Sequence, residues 1–441
     1  MKKLLLLICL LGVTAVADAQ IKGVLDRMKQ RVKDKSNQKI NTTADNTVDS
    51  AFTKTERTVK ETVKDATTKD TTEKKQNSGN MSPDNNSNNV PADNHSNTTV
   101  SFKTYSKYDF VTGEKVIGFE DFSTGNIGDF PAGWNTNASG EIVTIEGKPG
   151  RWLWLTKPGA FVPEFTNIYP EDFTFEFDLL HGFSPGGTPN FLFVSLAELD
   201  NIKQPEHWQL CKNHYTLVLW HGQDRQEVGS SESQIRQNAE SVSANSVETK
   251  QLGFQNTPVH VSIWRQKERV RVYINEEKIW DIPKALLKDA RLNSLVFFMS
   301  AVDANYPYYI SNLRLAVGAP DTRNKMLTQN KWVTHGILFD VNSNKIKPES
   351  YGTLKEMASV LKEYPDLRVK IVGHTDSDGN DDSNLDLSKQ RATSVKSALM
   401  NDFGIDGARM ETDGKGESET IDKNDTPAGK ANNRRVEFIK I

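Results

Sequence analysis

The chain carries three hydrophobic rhythms in succession. Up to about residue 104 apolar positions are sparse. Ile21, Val24, Leu25, Met28 and Val32 recur at helical spacing, as do Val48, Phe52, Val59 and Val63, with Lys, Thr, Asp and Asn between them. From about 105 to 318 the period shortens to two. In the run 172–180, Phe173, Phe175, Phe177 and Leu179 fall on one face and Thr174, Glu176 and Asp178 on the other, which predicts a half-buried strand with a polar outer face. The run 259–282 reads as two strands reversing near Lys267-Glu268 and a third after Asn275-Glu276-Glu277. Further β-like runs begin at Arg151, Asn190, His214, Asn293 and Tyr308. Roughly ten short strands with polar turns predict an all-β antiparallel sandwich of jelly-roll type over 105–318.

Beyond about residue 325 the pattern turns to β/α alternation. The run 334–346 reads as a strand ending in a turn, and Pro348 suits the first turn of a helix. Leu354, Met357, Ala358 and Leu361 form an apolar helical stripe, which Pro365 ends. A short buried strand over 367–375 follows, then a second helix over 384–404 with Ala392, Val395, Leu399 and Phe403 on its core face and Gly404 at its end. Strands near 409–414 and 434–441 complete an α+β unit of βαβαβ type over 325–441.

The N-terminus has its own grammar. Met1-Lys2-Lys3, an apolar run from Leu4 to Val13 and Ala17-Asp18-Ala19 before Gln20 predict a cleaved signal peptide over 1–19, and hence export; the periplasm and outer membrane are the destination that the family resemblance given below implies. The apolar run is shorter than the roughly 20 residues a spanning helix needs. Residues 20–75 read as a polar arm of solvated, partly disordered helix, the alternative being amphipathic helices that self-associate. Residues 76–104, rich in Asn and Ser, read as a flexible linker. Asp49-Ser50-Ala51 and Asp70-Thr71-Thr72 resemble the O-glycosylation sites of exported Bacteroidetes proteins.

Composition adds little beyond this. The 441 residues leave room for several domains, and 36% hydrophobic content fits folded parts joined to a polar stretch. With 55 basic and 58 acidic residues, no global field argues for nucleic acid. After cleavage Cys211 is the one remaining cysteine, so no internal disulfide is expected and a buried thiol is.

Candidate chemistry comes in two places. Glucanases of sandwich folds carry E-x-D-x-x-E along one strand; here Glu176 and Asp178 are followed by His181 where the second glutamate belongs, so no catalytic residue and no enzymatic activity is expected. The alternative is a carbohydrate-active enzyme anchored to the cell wall. Trp134, Trp152, Trp154, Trp208 and Trp220 could serve carbohydrate binding, though most such residues are core. The second place is the acidic stretch 374–392. An EF-hand register from Asp376 puts Asp381 at position 6 and Leu387 at position 12, and one from Asp378 puts Ser383 and Lys389 there. Both fail the need for Gly and Glu, so no metal and no cofactor is expected. A pocket fits better. Asp376 ends a strand, and Asn384 and Arg391 lie seven apart on one side of the next helix, with Leu387 and Ser388 between them. One fixed anion and one planar cation suit a zwitterionic group.

Four runs, "ILFDVNSNKIKPES", "VKIVGHTD", "NLDLSKQRATSVKSAL" and "GKANNRRVEFIKI", resemble in order and spacing the OmpA-like peptidoglycan-binding domain. Thr420 departs from the proline that relatives often carry. The resemblance implies non-covalent binding of peptidoglycan at the free end of its meso-diaminopimelate. Asp376 would accept from the ligand ammonium and Arg391 would take its carboxylate as a forked pair. Asn384, with backbone near Leu387, would position the ligand, and Arg434 would line the rim. Upstream, "VHVSIWRQKERVRVYINEEKIWDI" and "FEDFSTGNIGDFPAGW" resemble a concanavalin-like or laminin-G-like sandwich, which implies a carbohydrate or an envelope protein as a further partner.

Overall fold

The alternation along 172–181 becomes a strand whose Phe173, Phe175, Phe177 and Leu179 are fully buried. The computed structural model describes residues 108–182, 190–222, 227–253, 257–303, 306–318 and 322–441. The signal-like segment, the polar arm, the Asn/Ser linker and the two glycosylation-like triplets lie outside them.

Fifteen strands precede residue 318 among the described residues. The first eight are β1 (Lys115–Glu120), β2 (Trp134–Thr136), β3 (Gly140–Ile145), β4 (Lys148–Leu155), β5 (Gly159–Pro163), β6 (Asp172–His181), β7 (Leu192–Ala197) and β8 (His214–Trp220). There follow β9 (Gly229–Gln237), β10 (Glu240–Thr249), β11 (Val259–Gln266), β12 (Arg269–Ile274), β13 (Glu277–Ile282), β14 (Ser294–Met299) and β15 (Tyr308–Val317). They pair antiparallel in two sheets. One runs β13-β12-β11-β6-β15-β4-β3, with β1 added along the second half of β15; the other runs β10-β9-β8-β7-β14-β5-β2. Their apolar faces meet in one core. Phe297 of β14 reaches across to Phe177 of β6, ring edge on ring face, with centroids 5.2 Å apart.

Two strands escaped the pattern reading. β9 and β10 are Ser-, Glu- and Asn-rich and show no apolar alternation, yet they pair with each other along their length and β9 continues the sheet from β8. Backbone pairing, not side-chain period, makes them strands. Trp152 and Trp208 are buried, and Trp134 packs on Phe122 and Phe297, so these three serve the interior. Cys211 is buried too; its thiol donates to the Trp208 carbonyl at 2.8 Å, and burial pushes it up to about 11.

The expected polar outer face of β6 needs correction. Thr174 and Glu176 are fully buried and Asp178 is nearly so. Thr112 donates to Glu176 at 2.7 Å, and His260 of β11 lies between the two acids, 2.7 Å from Asp178 and 3.4 Å from Glu176. Asn312, in left-handed conformation at a bulge of β15, donates to Asp178 at 2.6 Å. Burial pushes His260 down, but Asp178 and Glu176 outweigh it and hold the ring protonated well above its usual range.

The C-terminal domain comprises α1 (Thr322–Thr328), β16 (Lys331–Thr334), α2 (Tyr351–Glu363), β17 (Val369–Gly373), α3 (Asp381–Asn401), β18 (Met410–Gly414), α4 (Pro427–Asn433) and β19 (Val436–Lys440). Its sheet order is β16-β19-β17-β18. β17 and β18 run parallel across the α3 crossover, and the other pairs are antiparallel. Leu354, Met357 and Leu361 of α2 and Ala392, Val395 and Leu399 of α3 fill the core as their stripes predict. The strand expected over 334–346 is shorter and earlier: the ladder is β16, and 335–346 is a loop pinched by a single bridge from Phe339 to Ile346. α1 and α4 are additions to the expected plan. Among the described residues no helix is long and apolar enough to cross a membrane.

The β domain and this domain form one compact unit. The segment 108–113 lies between them. Tyr108 and Phe110 pack on Trp264 and Tyr273 of the β domain, and the Tyr108 hydroxyl donates to the Glu349 carbonyl at 3.4 Å. Gly352 of α2 lies so close to the Phe110 carbonyl that a Cβ would sit 1.8 Å from its oxygen. At the open edge of β1, the Val116 N–H donates to Asn432 Oδ1 and the Val116 carbonyl accepts from Asn432 Nδ2, both at 2.9 Å. Truncating Phe297 to Ala should remove ~3–5 kcal/mol of stability, read as a lowered urea midpoint with an unchanged slope.

Candidate ligand-binding site

Asp376 lies three residues past the end of β17, where neighbouring backbone fixes its approach. His374 N–H donates to the Arg435 carbonyl at 3.0 Å and Thr375 N–H to the Gly416 carbonyl at 2.9 Å. α3 then crosses these strand ends at very close range. A Cβ on Gly373 would sit 2.2 Å from the Ser388 carbonyl oxygen, and one on Gly414 would sit 2.3 Å from the Ser388 hydroxyl. Two glycines thus let the helix carrying Arg391 approach the strand that leads to Asp376.

The turn between them is held from inside. Asp376 Oδ1 accepts from the Asp378 N–H at 3.1 Å, and Asn380 caps α3 by accepting from Asp382 and Ser383 N–H. Asn384 is buried, and its Nδ2 lies within donating distance of the carbonyls of Asp376 (3.3 Å) and Asp378 (3.0 Å) and of Glu417 Oε2 (2.6 Å). Its amide nitrogen therefore staples the loop rather than facing outward. Asp378 pairs with Lys430 at 2.6 Å and Asp386 accepts from Gln390 at 2.7 Å, while Asp381 and Asp382 stay exposed at the helix N-terminus.

Arg391 is half-buried, and its guanidinium is oriented by neutral groups. Nε donates to the Ser343 carbonyl at 3.0 Å, and the guanidinium carbon lies 4.9 Å from the Phe339 ring centroid. Among the described residues no carboxylate forms an ion pair with it. Burial first, then the nearby Arg434, lower its pKa to about 10, and Asp376 offsets part of this. Asp376 and Arg391 face the same region without pairing. Arg434 takes the direct place instead: its Nη1 donates to Asp376 Oδ2, and its guanidinium lies 5.0 Å from the ring centroid of Phe119. Leu387 is half-buried on the intervening turn of α3.

Arg435 anchors the same corner from behind. Its Nε and Nη2 both donate to Glu437 Oε1 at 2.9 Å, and Glu437 Oε2 pairs with Lys331 at 2.7 Å. Burial raises the Glu437 pKa, but His374, Lys331 and Arg435 more than reverse this and bring it to about 2.

Residues 338–434 match the OmpA family. The C-terminal domain is an OmpA domain. Over 104 residues it is 48% identical to the protein named "Probable lipoprotein YiaD" of Escherichia coli, a match covering 24% of this chain and 47% of that one. It is 42% identical over 101 residues to outer membrane porin F of Pseudomonas aeruginosa, covering 23% and 29%. It is also 41% identical over 108 residues to the peptidoglycan-binding protein ArfA of Mycobacterium tuberculosis, covering 24% and 33%. This chain thus spans about half or less of these curated relatives. Among solved structures, the peptidoglycan-associated lipoprotein from Burkholderia pseudomallei is 27% identical over 27% of this chain and 98% of that chain, with a TM-score of 0.24.

Within the OmpA domain the sequence reading placed Asp376, Arg391 and Arg434 around one region, where the structure also has them. It did not foresee the Asp376–Arg434 pair, nor the two phenylalanines behind the arginines. Phe339 sits in a run already singled out, whereas nothing in the sequence ties Phe119 to a residue more than three hundred positions away. A depressed carboxylate stabilises the fold above its unfolded pKa and ceases to do so as pH falls through its folded value. Wild-type stability should therefore drop by up to ~3 kcal/mol between about pH 4.5 and pH 2 through Glu437. Glu437→Gln should be less stable at neutral pH and flatter across that acid limb in urea titrations.

Proposed function

We propose that this chain is a non-catalytic, exported envelope protein that binds peptidoglycan non-covalently through its OmpA domain. The ligand group is the free zwitterionic end of meso-diaminopimelate in the stem peptide. The observation that carries this reading is Arg391: a half-buried guanidinium with no carboxylate partner among the described residues, beside a carboxylate fixed at a strand end. A ligand carboxylate would meet two converging guanidiniums, those of Arg391 and Arg434. The ligand ammonium would be accepted by Asp376, sharing it with Arg434. Asn384 supports from beneath by holding the loop, and Leu387 supplies backbone on the helical side. The name of the mycobacterial relative, a peptidoglycan-binding protein, agrees with this assignment.

We read the β domain as a jelly-roll sandwich of concanavalin-like type, a module for a carbohydrate or an envelope protein. The two face-to-face antiparallel sheets support that reading. The rival, a wall-anchored glucanase, would need accessible paired carboxylates, whereas Glu176 and Asp178 are buried around His260. The signal-like N-terminus supports export, and the name of the Pseudomonas aeruginosa relative, an outer membrane porin, agrees with a place at the outer membrane.

Asp376→Ala or Arg391→Ala should cut co-sedimentation with purified sacculi at least tenfold without lowering the thermal midpoint beyond a few degrees. Arg391→Lys should recover little, because an ammonium cannot make the forked contact. Undiminished pelleting of both alanine variants would sink the pocket assignment.

A further inference from the structure

The two arginines at the pocket are mounted alike. Each guanidinium lies against a phenylalanine ring, Arg391 over Phe339 at 4.9 Å and Arg434 over Phe119 at 5.0 Å. Phe339 belongs to the OmpA domain, but Phe119 is on β1, the strand whose register puts it opposite Arg314 of β15. It packs against the cluster of Val116, Ala316 and Ala431, so its ring is placed by both domains at once. The backbone beneath it is fixed as well, because Asn432 bonds the Val116 peptide in both directions, two residues before Arg434. A planar cation on an aromatic face is restrained in plane and depth yet can still turn its edge towards an anion. Arg434 makes both contacts, with its guanidinium carbon over the Phe119 ring and Nη1 on Asp376.

We propose that the β domain completes the ligand site through Phe119, a positioning residue that holds Arg434 where it can share Asp376 with the ligand and meet the ligand carboxylate. The site is then built by two domains, and full affinity requires them docked. This rests on the peptidoglycan reading above and goes beyond it by naming a determinant outside the OmpA domain.

The test is calorimetric titration of the full chain with the tripeptide L-Ala–γ-D-Glu–meso-diaminopimelate. Phe119→Ala should weaken binding about three- to tenfold. Phe119→Leu, which fills the same apolar niche without a π face, should weaken it nearly as much, and Phe119→Tyr should restore it. Thermal midpoints of the three variants separate this from loss of docking, since Leu keeps the packing. If Leu binds as tightly as wild type, or Ala stays within twofold while Asp376→Ala abolishes binding, the role of Phe119 is overturned and the pocket stands. If Asp376→Ala binds normally, the pocket reading falls and the inference with it.

Discussion

One side-chain amide joins the two halves of the described chain. Asn432 gives its oxygen to the Val116 N–H and its nitrogen to the Val116 carbonyl, standing in for the peptide of a neighbouring strand at the bare edge of β1. An edge peptide left bare under a packed domain would cost the full desolvation of both groups. With the pair made, a second domain can close over that edge. Asp422 accepts from the same Nδ2 at 2.8 Å, and His335 donates to the Asn432 carbonyl at 2.9 Å, so the residue is fixed from three sides. The order of events along the chain matters here: Asn432 at the end of α4, Arg434 towards the pocket, Arg435 towards Glu437, then the strand.

The outer face of β6 carries charges that do not reach water, with Lys347 and Glu349 of the C-terminal domain near enough to act on them. An imidazolium between two carboxylates, with Thr112 and Asn312 satisfying further oxygens, is an arrangement that survives burial because its charges are paired and hydrogen-bonded. Such a cluster is demanding of geometry.

The legible parts of the sequence are those in which one local rule decides. Phe173, Phe175, Phe177 and Leu179 announce β6 by period alone, and the stripes on α2 and α3 announce their buried faces. β9 and β10 are illegible because their side chains are polar and their identity as strands comes from partners elsewhere. The acid and the arginine fifteen residues apart were readable because one strand end and two turns of helix set their relation. The pairing of Asp376 with Arg434 was not, since it depends on where α4 ends. Asn384 shows a subtler gap: it lies on the helix as expected, but only the folded loop reveals that its amide nitrogen is already taken by Asp376, Asp378 and Glu417. The outer face of β6 misled for the opposite reason, because alternation distinguishes two faces of a strand and cannot say what lies on the second.

The segment 108–113 has a mechanical meaning. It is the stretch by which everything N-terminal to it is joined to the folded unit, and it is wedged between α2 and the β domain, tight enough at Gly352 to admit no side chain. A pull on the chain from that side therefore does not act first on the strands of a sheet. It acts on the seam, as a drawn thread acts on two pieces of cloth, and Phe119 lies only a few residues further along it. A site completed by Phe119, as proposed above, would share that short piece of backbone with the path of such a pull.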